Sequence, residues 1–295
     1  MHPFDHHFMQ TLPVPLAALI SQAADITDVA SDTASLSTSL IDHTSLSDGD
    51  QPMTGGETAD DIKSLCQVAS NPGAQTAAVC VYPNQIPAAK AALGDGPVQL
   101  AVVNNFPHGD QTSEQAMASA QDAISAGCSE IDTVIDYEAF LKGDQAQARE
   151  KLVAVADICR QNGIKLKTIL KASIYPDYDS LYQAATLACE TGADFVKSCT
   201  GKMAKTGYTR DQADASTLWT GAVIMQAVAD YNKAHNTKIG VKISGGVKTV
   251  LDCQKYRFLV ETILGPDFFT PSLFRFGASS LLTNLSGDTI TTSGY

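Results

Sequence analysis

The chain has 295 residues, 44% hydrophobic and 18% charged, which excludes a disordered chain or a coiled coil and allows a sizeable core. Its 20 basic and 32 acidic residues leave a net charge of -12. A general binder of nucleic-acid backbones is therefore a poor fit, and any anionic ligand needs a local pocket that overcomes the global field.

The N-terminal stretch, MHPFDHHFMQTLPVPLAALI, lacks the basic start and long apolar run of a signal peptide, so none is expected. No run approaches the roughly 18 apolar residues of a membrane span. Residues 1–38 read as an added N-terminal helical segment. Pro13 and Pro15 precede helical spacing over 16–29, and a Ser/Thr/Asp cluster over 31–38 is expected to end it. From there, short β-branched runs alternate with Ala-rich stretches. Strands are predicted at 40–42, 76–82, 98–104, 129–135, 165–172, 193–199, 239–244 and 273–277, with helices at 113–126, 145–161, 180–191 and 216–233. Gly127, Gly163 and Gly192 stand where helices stop before a strand, as C-caps do.

Eight strands alternating with helices predict an α/β fold, a single (β/α)8 TIM barrel over 39–282. The open doubly wound alternative should carry an early G-x-G-x-x-G, and there is none. Residues 283–295, rich in Ser, Thr and Gly, are expected to form a flexible tail. Seven cysteines, an odd number with no C-x-x-C pair, point to reduced buried thiols in a cytoplasmic protein rather than to disulfides or a zinc knuckle.

Barrel active sites gather at the C-terminal strand ends. Lys197, in ADFVKSCTGK, and Lys242, in IGVKISGG, lie on neighbouring strands. If both point inward, the like charge drives one amine toward its neutral, nucleophilic form. If both point outward, they are ordinary surface lysines between helices. Asp132, in EIDTVID, either faces both lysines and relays protons or is a core carboxylate satisfied by Lys167, and both can hold. Asp42, in LIDHTSL, binds a substrate hydroxyl or caps a turn. Cys80 is a small buried hydrophobe or a thiol near the site. The turns Cys199-Thr200-Gly201-Lys202, Ser244-Gly245-Gly246-Val247 and Gly277-Ala278-Ser279-Ser280 follow strands six to eight, and the loops after strands seven and eight are the usual phosphate site of such barrels. Each alone is an ordinary turn. Lys202 and Lys248 add local positive charge.

The segments LIDHTSL, QTAAVCVYP, NNFPHG, EIDTVIDY, ADFVKSCTGK, GVKISGGVKT and RFGASSLL together make the chain resemble the deoxyribose-phosphate aldolase family, class I aldolases on a (β/α)8 barrel. The resemblance implies reversible cleavage of 2-deoxy-D-ribose 5-phosphate to D-glyceraldehyde 3-phosphate and acetaldehyde, in deoxyribonucleotide catabolism. It implies Lys197 as the Schiff-base lysine, Lys242 as the group that depresses its pKa, and Asp132 as proton carrier with Lys242. Asp42 would contact the sugar hydroxyl. Gly201, Lys202, Gly245, Gly246, Ser279 and Ser280 would surround the phosphate, and the terminal Tyr295 would help protonate the enamine. No metal or cofactor is expected. The partners are a phosphorylated sugar and acetaldehyde, without nucleic acid or membrane, and a homodimer is a compatible assembly. Four features depart from the family pattern, the first being residues 1–38, which match no part of it. Lys171 follows the apolar run of strand five, where a regular strand would bring a third amine to the site. The segment 203–216 is long, and Lys248 stands where arginine is common. Rival readings are another Schiff-base aldolase, or a catalytically silent barrel that binds sugar phosphates.

Overall fold

All eight predicted strands form, and each runs parallel to its neighbours. In chain order they are β1 (Ile41–Thr44), β2 (Ala78–Val81), β3 (Gln99–Asn104), β4 (Glu130–Val134), β5 (Lys165–Ile169), β6 (Phe195–Lys197), β7 (Gly240–Ser244) and β8 (Phe274–Ala278). β8 returns to pair with β1 and closes the barrel. A computed structural model of the chain describes residues 8–51, 53–202 and 216–286.

Among the described residues, a short helical segment over 8–11 and two longer helices, α1 (Val14–Ala24) and α2 (Thr33–Ser39), precede the barrel. Nine more follow or cross between strands: α3 (Ala59–Ala69), α4 (Ile86–Leu93), α5 (Ser113–Ala126), α6 (Tyr137–Leu141), α7 (Gln145–Gln161), α8 (Tyr178–Glu190), α9 (Leu218–His235), α10 (Val250–Ile263) and α11 (Leu281–Ser286). The helix starts are written locally. Thr58, Thr112, Thr217 and Thr249 each close a capping box, a device whose N-cap contributes about 1 kcal/mol. Side chains alternate along each strand. The outward set, such as Val79, Val102, Ile131 and Leu166, is buried in one apolar cluster with Ile62, Ala116 and Val155 of the helices. Each such buried aliphatic stabilises by roughly 1.5–3 kcal/mol. The inward set carries charges instead.

Three local expectations change. Helix α1 runs Val14–Ala24 rather than 16–29: prolines are tolerated in a first turn, so Pro13 and Pro15 start the helix instead of preceding it. The Ser/Thr/Asp cluster does not merely end a helix but forms α2. Its low propensity is overridden by tertiary contacts: Thr33 Oγ1 donates to Gln254 Oε1 at 2.5 Å, and Arg257 pairs with Asp32 at 2.7 Å. Strand five stops at Ile169. Lys171 takes a left-handed conformation at φ 60°, and its amine donates to Thr200 Oγ1 and the Lys202 carbonyl, each at 3.1 Å. The extra lysine therefore clasps the loop after β6. Within the expected tail, 283–286 continue α11, and 287–295 lie outside the described residues. The long 203–216 segment is described only at residue 216.

Candidate active site

The strand register decides which charges meet. Asp132 of β4 pairs with Lys167 of β5, Ile169 of β5 with Lys197 of β6, Lys197 with Lys242 of β7, and Lys242 with Arg275 of β8. Paired residues share a face, so this whole set points into the barrel. Glu130 and Asp42 join it. The lysines are inward, not interhelical: Lys167 and Lys242 are fully buried, and Lys197 is 3% exposed.

Asp132 is the hub. Its Oδ2 accepts from Lys197 Nζ at 2.8 Å and from Lys242 Nζ at 2.7 Å, while its Oδ1 accepts from Lys167 Nζ at 2.8 Å. Lys242 also lies 2.6 Å from Asp42 Oδ2, and Lys167 also donates to Glu130 Oε2. Arg275 ties the remaining ends, with Nη1 2.6 Å from Asp42 and Nη2 3.1 Å from Glu130. Gly277 makes room for this. A Cβ there would lie 2.3 Å from Ser244 Oγ and 3.0 Å from Lys242 Cε.

The electrostatics separate the amines. Burial works against the charge on all three lysines. On Lys242, Asp132 and Asp42 outweigh burial and raise its pKa. On Lys167, Asp132, Glu130 and Asp42 do the same. On Lys197, burial prevails. Asp132 opposes it but is shared, Lys242 repels the proton, and the pKa is lowered. Burial alone would raise the Asp132 pKa, yet the three lysines hold it well below the ordinary carboxylate value. The network thus contains one amine disposed to be neutral, and a neutral lysine attacks carbonyl carbon.

That amine faces a cavity. A volume of about 280 Å³ opens at the C-terminal strand ends, close to the lower limit of about 300 Å³ for typical small-molecule pockets. Of the seven-residue charge cluster, Lys197 alone lines it. The other walls are Thr44, Gly201, Lys202, Ser244, Gly245, Gly246, Lys248, Ser279 and Ser280, among others. Gly246 has φ 80°, and a Cβ there would sit 2.6 Å from the Ser216 carbonyl oxygen, so no other residue suits the turn. Ser216 Oγ joins the turns after β6 and β7, contacting Ser198 Oγ at 2.5 Å and donating to the Ser244 carbonyl at 2.7 Å.

A family model of DeoC/LacD family aldolases matches residues 36–262. The chain belongs to the DeoC/LacD aldolase family. A deoxyribose-phosphate aldolase of Agrobacterium fabrum (strain C58) is 36% identical over 253 residues, 85% of this chain and 90% of that one. Two solved structures share the fold. An apo-form crystal structure from Toxoplasma gondii ME49 has TM-score 0.72 and 23% identity, covering 86% of this chain and 95% of its own. A deoxyribose phosphate aldolase from Aeropyrum pernix, described as a unique tetrameric structure, has TM-score 0.63 and 24% identity, covering 91% and 96%.

In this aldolase the expected site residues fall into two groups. Lys197, Lys202, Gly201, Gly245, Gly246, Ser279 and Ser280 meet at the cavity. Lys242, Asp132, Asp42 and Cys80 are fully buried and do not line it. Asp42 is neither turn nor cap. It is gripped by Lys242 and Arg275, with Lys167 at 3.6 Å. Cys80 is a buried thiol whose Sγ sits 3.9 Å from Asp132 Oδ2, and burial raises its pKa. Lys202 does not stand free. Its ammonium pairs with Asp48 at 3.0 Å, and Tyr82 donates to the same carboxylate oxygen at 2.6 Å. Tyr295 lies outside the described residues. Sequence reasoning missed Glu130 and Arg275 in the network and Thr44 in the cavity wall. The alternation signal was present for all three, since each stands two residues from a residue already singled out: Glu130 from Asp132, Arg275 from Gly277 of the turn after strand eight, and Thr44 from Asp42. No helix among the described residues is long and apolar enough to cross a membrane.

Proposed function

We propose that this aldolase reversibly cleaves 2-deoxy-D-ribose 5-phosphate to D-glyceraldehyde 3-phosphate and acetaldehyde through a Schiff base on Lys197, within deoxyribonucleotide catabolism. The position of Lys197 carries the reading. It is the member of the buried network that reaches the cavity, its proton is the least well held of the three lysines, and the cavity is rimmed by Gly/Ser turns and two further lysines. The name of the Agrobacterium fabrum relative supports the substrate.

In this reading, neutral Lys197 Nζ attacks the aldehyde carbon of the open-chain sugar, and loss of water leaves an iminium. Removal of the proton from the C3 hydroxyl lets the C2–C3 bond break. The electron pair moves into the iminium, which accepts it far better than a carbonyl would. D-Glyceraldehyde 3-phosphate departs, and an acetaldehyde enamine remains on Lys197. Protonation at C2 and hydrolysis release acetaldehyde and the free lysine. Asp132 and the Lys242 ammonium, 2.7 Å apart, are the paired proton acceptor and donor. Gly201, Lys202, Gly245, Gly246, Ser279 and Ser280 hold the phosphate through N–H, hydroxyl and ammonium donors. Asp42 supports Lys242, and Thr44, on the same strand face and within the cavity wall, is better placed for a sugar hydroxyl. Cys80 braces Asp132. Tyr295 keeps its proposed part as proton donor to the enamine.

Seven free, buried cysteines suit a reducing cytoplasm. The assembly proposed is a homodimer, which sedimentation would distinguish from the tetramer described for the Aeropyrum pernix protein. Residues 1–38 are read as an extension whose helices α1 and α2 lie against α10, with α1 also against α9. The test of function is product analysis. 2-Deoxy-D-ribose 5-phosphate should yield acetaldehyde and D-glyceraldehyde 3-phosphate in equal amounts. No cleavage, or turnover only of ketose phosphates, would favour the silent barrel or another Schiff-base aldolase.

A further inference from the structure

A second cavity lies at the opposite, N-terminal end of the barrel, and Glu130 and Arg275 are in its wall. Glu130 opens β4 and Arg275 is the second residue of β8, so the two meet one layer below Asp42, Lys167 and Lys242. Their links are continuous with the active-site end. Arg275 holds Asp42, Asp42 holds Lys242, and Lys242 donates to Asp132. Glu130 holds Lys167, and Lys167 donates to Asp132, whose other oxygen accepts from Lys197.

We propose that Glu130 and Arg275 are positioning residues that set the protonation of Lys197 from the far end of the barrel, acting through Lys167, Asp42, Lys242 and Asp132. The inference rests on the reading of Lys197 as the Schiff-base lysine.

Charge count gives the mechanism its sign. The cluster holds three carboxylates, Asp42, Glu130 and Asp132. It holds three cations besides Lys197: Lys167, Lys242 and Arg275. These six balance, so a neutral Lys197 completes a neutral core and a protonated one leaves an excess positive charge where water cannot screen it. The groups facing Lys197 are Asp132 on β4, Lys242 on β7 and the Cys80 thiol on β2. Those around Glu130 are Lys167 and Arg275, with Cys128 close in the chain and Lys165 its register partner on β5. Arg275 is further fixed by its Nε donating to the Pro271 carbonyl and by its guanidinium lying 5.5 Å above the Phe195 ring. A rigid, always-charged group suits a fixed reference for this balance.

The two residues therefore carry opposite predictions. Glu130→Gln removes a negative charge, leaves an excess of cation and makes Lys197 easier to deprotonate. Arg275→Met removes a positive charge, and the spare carboxylate keeps Lys197 protonated to higher pH. The measurement is the rate of trapping of acetaldehyde on Lys197 by cyanoborohydride, followed by peptide mass mapping across the neutral and alkaline range. The midpoint should fall in Glu130→Gln, rise in Arg275→Met, and return near the parent value in the double variant. A shift of one unit changes the neutral-amine fraction about tenfold below the midpoint. A merely structural role would lower yield or folded fraction without moving midpoints in opposite directions. Either single variant alone tests the sign if the other does not fold. Unmoved midpoints, or midpoints moving the same way, overturn the inference and leave the functional reading intact. Trapping on a residue other than Lys197 in the parent protein overturns both.

Discussion

Lys197 and Lys242 are register partners on adjacent strands, and both donate to the same oxygen of Asp132, at 2.8 and 2.7 Å. Lys242 has a second carboxylate, Asp42, at 2.6 Å, whereas among the described residues the one carboxylate contact of Lys197 is that shared oxygen. Unequal service from one carboxylate separates two chemically identical side chains into a held ammonium and a candidate nucleophile.

Lys242→Met should therefore harm the reaction in two ways. The proton donor is lost, and Asp132 is freed to hold the Lys197 proton, so the Lys197 pKa rises. Turnover at neutral pH should drop by about 10²–10⁴-fold, the range for loss of a positioned acid or base, and the surviving activity should peak at higher pH than in the parent protein. A pH–rate profile measures this. A drop with no alkaline displacement would mean that Lys242 does not control Lys197.

Asp48→Asn should tighten binding of the phosphorylated sugar. Lys202 is part of the cavity wall but pairs with Asp48, which is largely exposed. An exposed pair of this kind holds by roughly 0.2–1 kcal/mol, so releasing Lys202 should lower KM for the phosphorylated substrate by at most about fivefold. KM for unphosphorylated 2-deoxyribose should hardly change. An equal fall for both sugars would show that Lys202 does not read the phosphate.

Much of this was legible in the residues, and the misses have physical causes. Eight alternations of β-branched runs with Ala-rich stretches specify the barrel because each pattern has its own period, and helices α5 and α7 match their predicted bounds. The facing of Lys197 and Lys242 was not legible from their strands alone. It emerged from the register, which depends on closure of the whole sheet. Asp42 read equally as a hydroxyl binder or a turn cap, and its link to Arg275 could not be seen locally because that partner lies 233 residues away. The Lys171 turn was hidden for another reason. A left-handed lysine is unfavourable in isolation, and its contacts to Thr200 and Lys202 hold it in place.

Gly246→Ala should impair phosphate binding more than folding. The substituted residue would need φ near 80° and would press its Cβ against the Ser216 carbonyl oxygen. Relief requires moving the turn after β7, at a stability cost of about 1–3 kcal/mol. KM for the phosphorylated sugar should rise several-fold more than KM for the free sugar. Equal rises would mean that the turn does not contact phosphate.

Acid stability should depend on His43. Its side chain, on the outer face of β1, is buried, and burial lowers its pKa to about 4 against the opposing pull of a backbone hydrogen bond to Ala278. The unfolded chain takes up this proton near pH 6.5, the folded one only near 4. Stability is therefore lost as pH falls through that window, by up to about 1.4 kcal/mol per pH unit. Urea midpoints measured across it should decline in the parent protein and stay flatter in His43→Gln. The same decline in both would assign the acid limb to other groups.

The identity of the reacting amine is the most direct test of the chemistry at Lys197. Treatment of the full chain with acetaldehyde and borohydride, followed by peptide mass mapping, should place a single ethyl group on Lys197 and abolish activity. Lys197→Arg should take up none and lose activity by on the order of 10⁴-fold or more, as loss of a nucleophile does elsewhere. An ethyl group on Lys242 or Lys171 instead, or full activity in Lys197→Arg, would contradict the account.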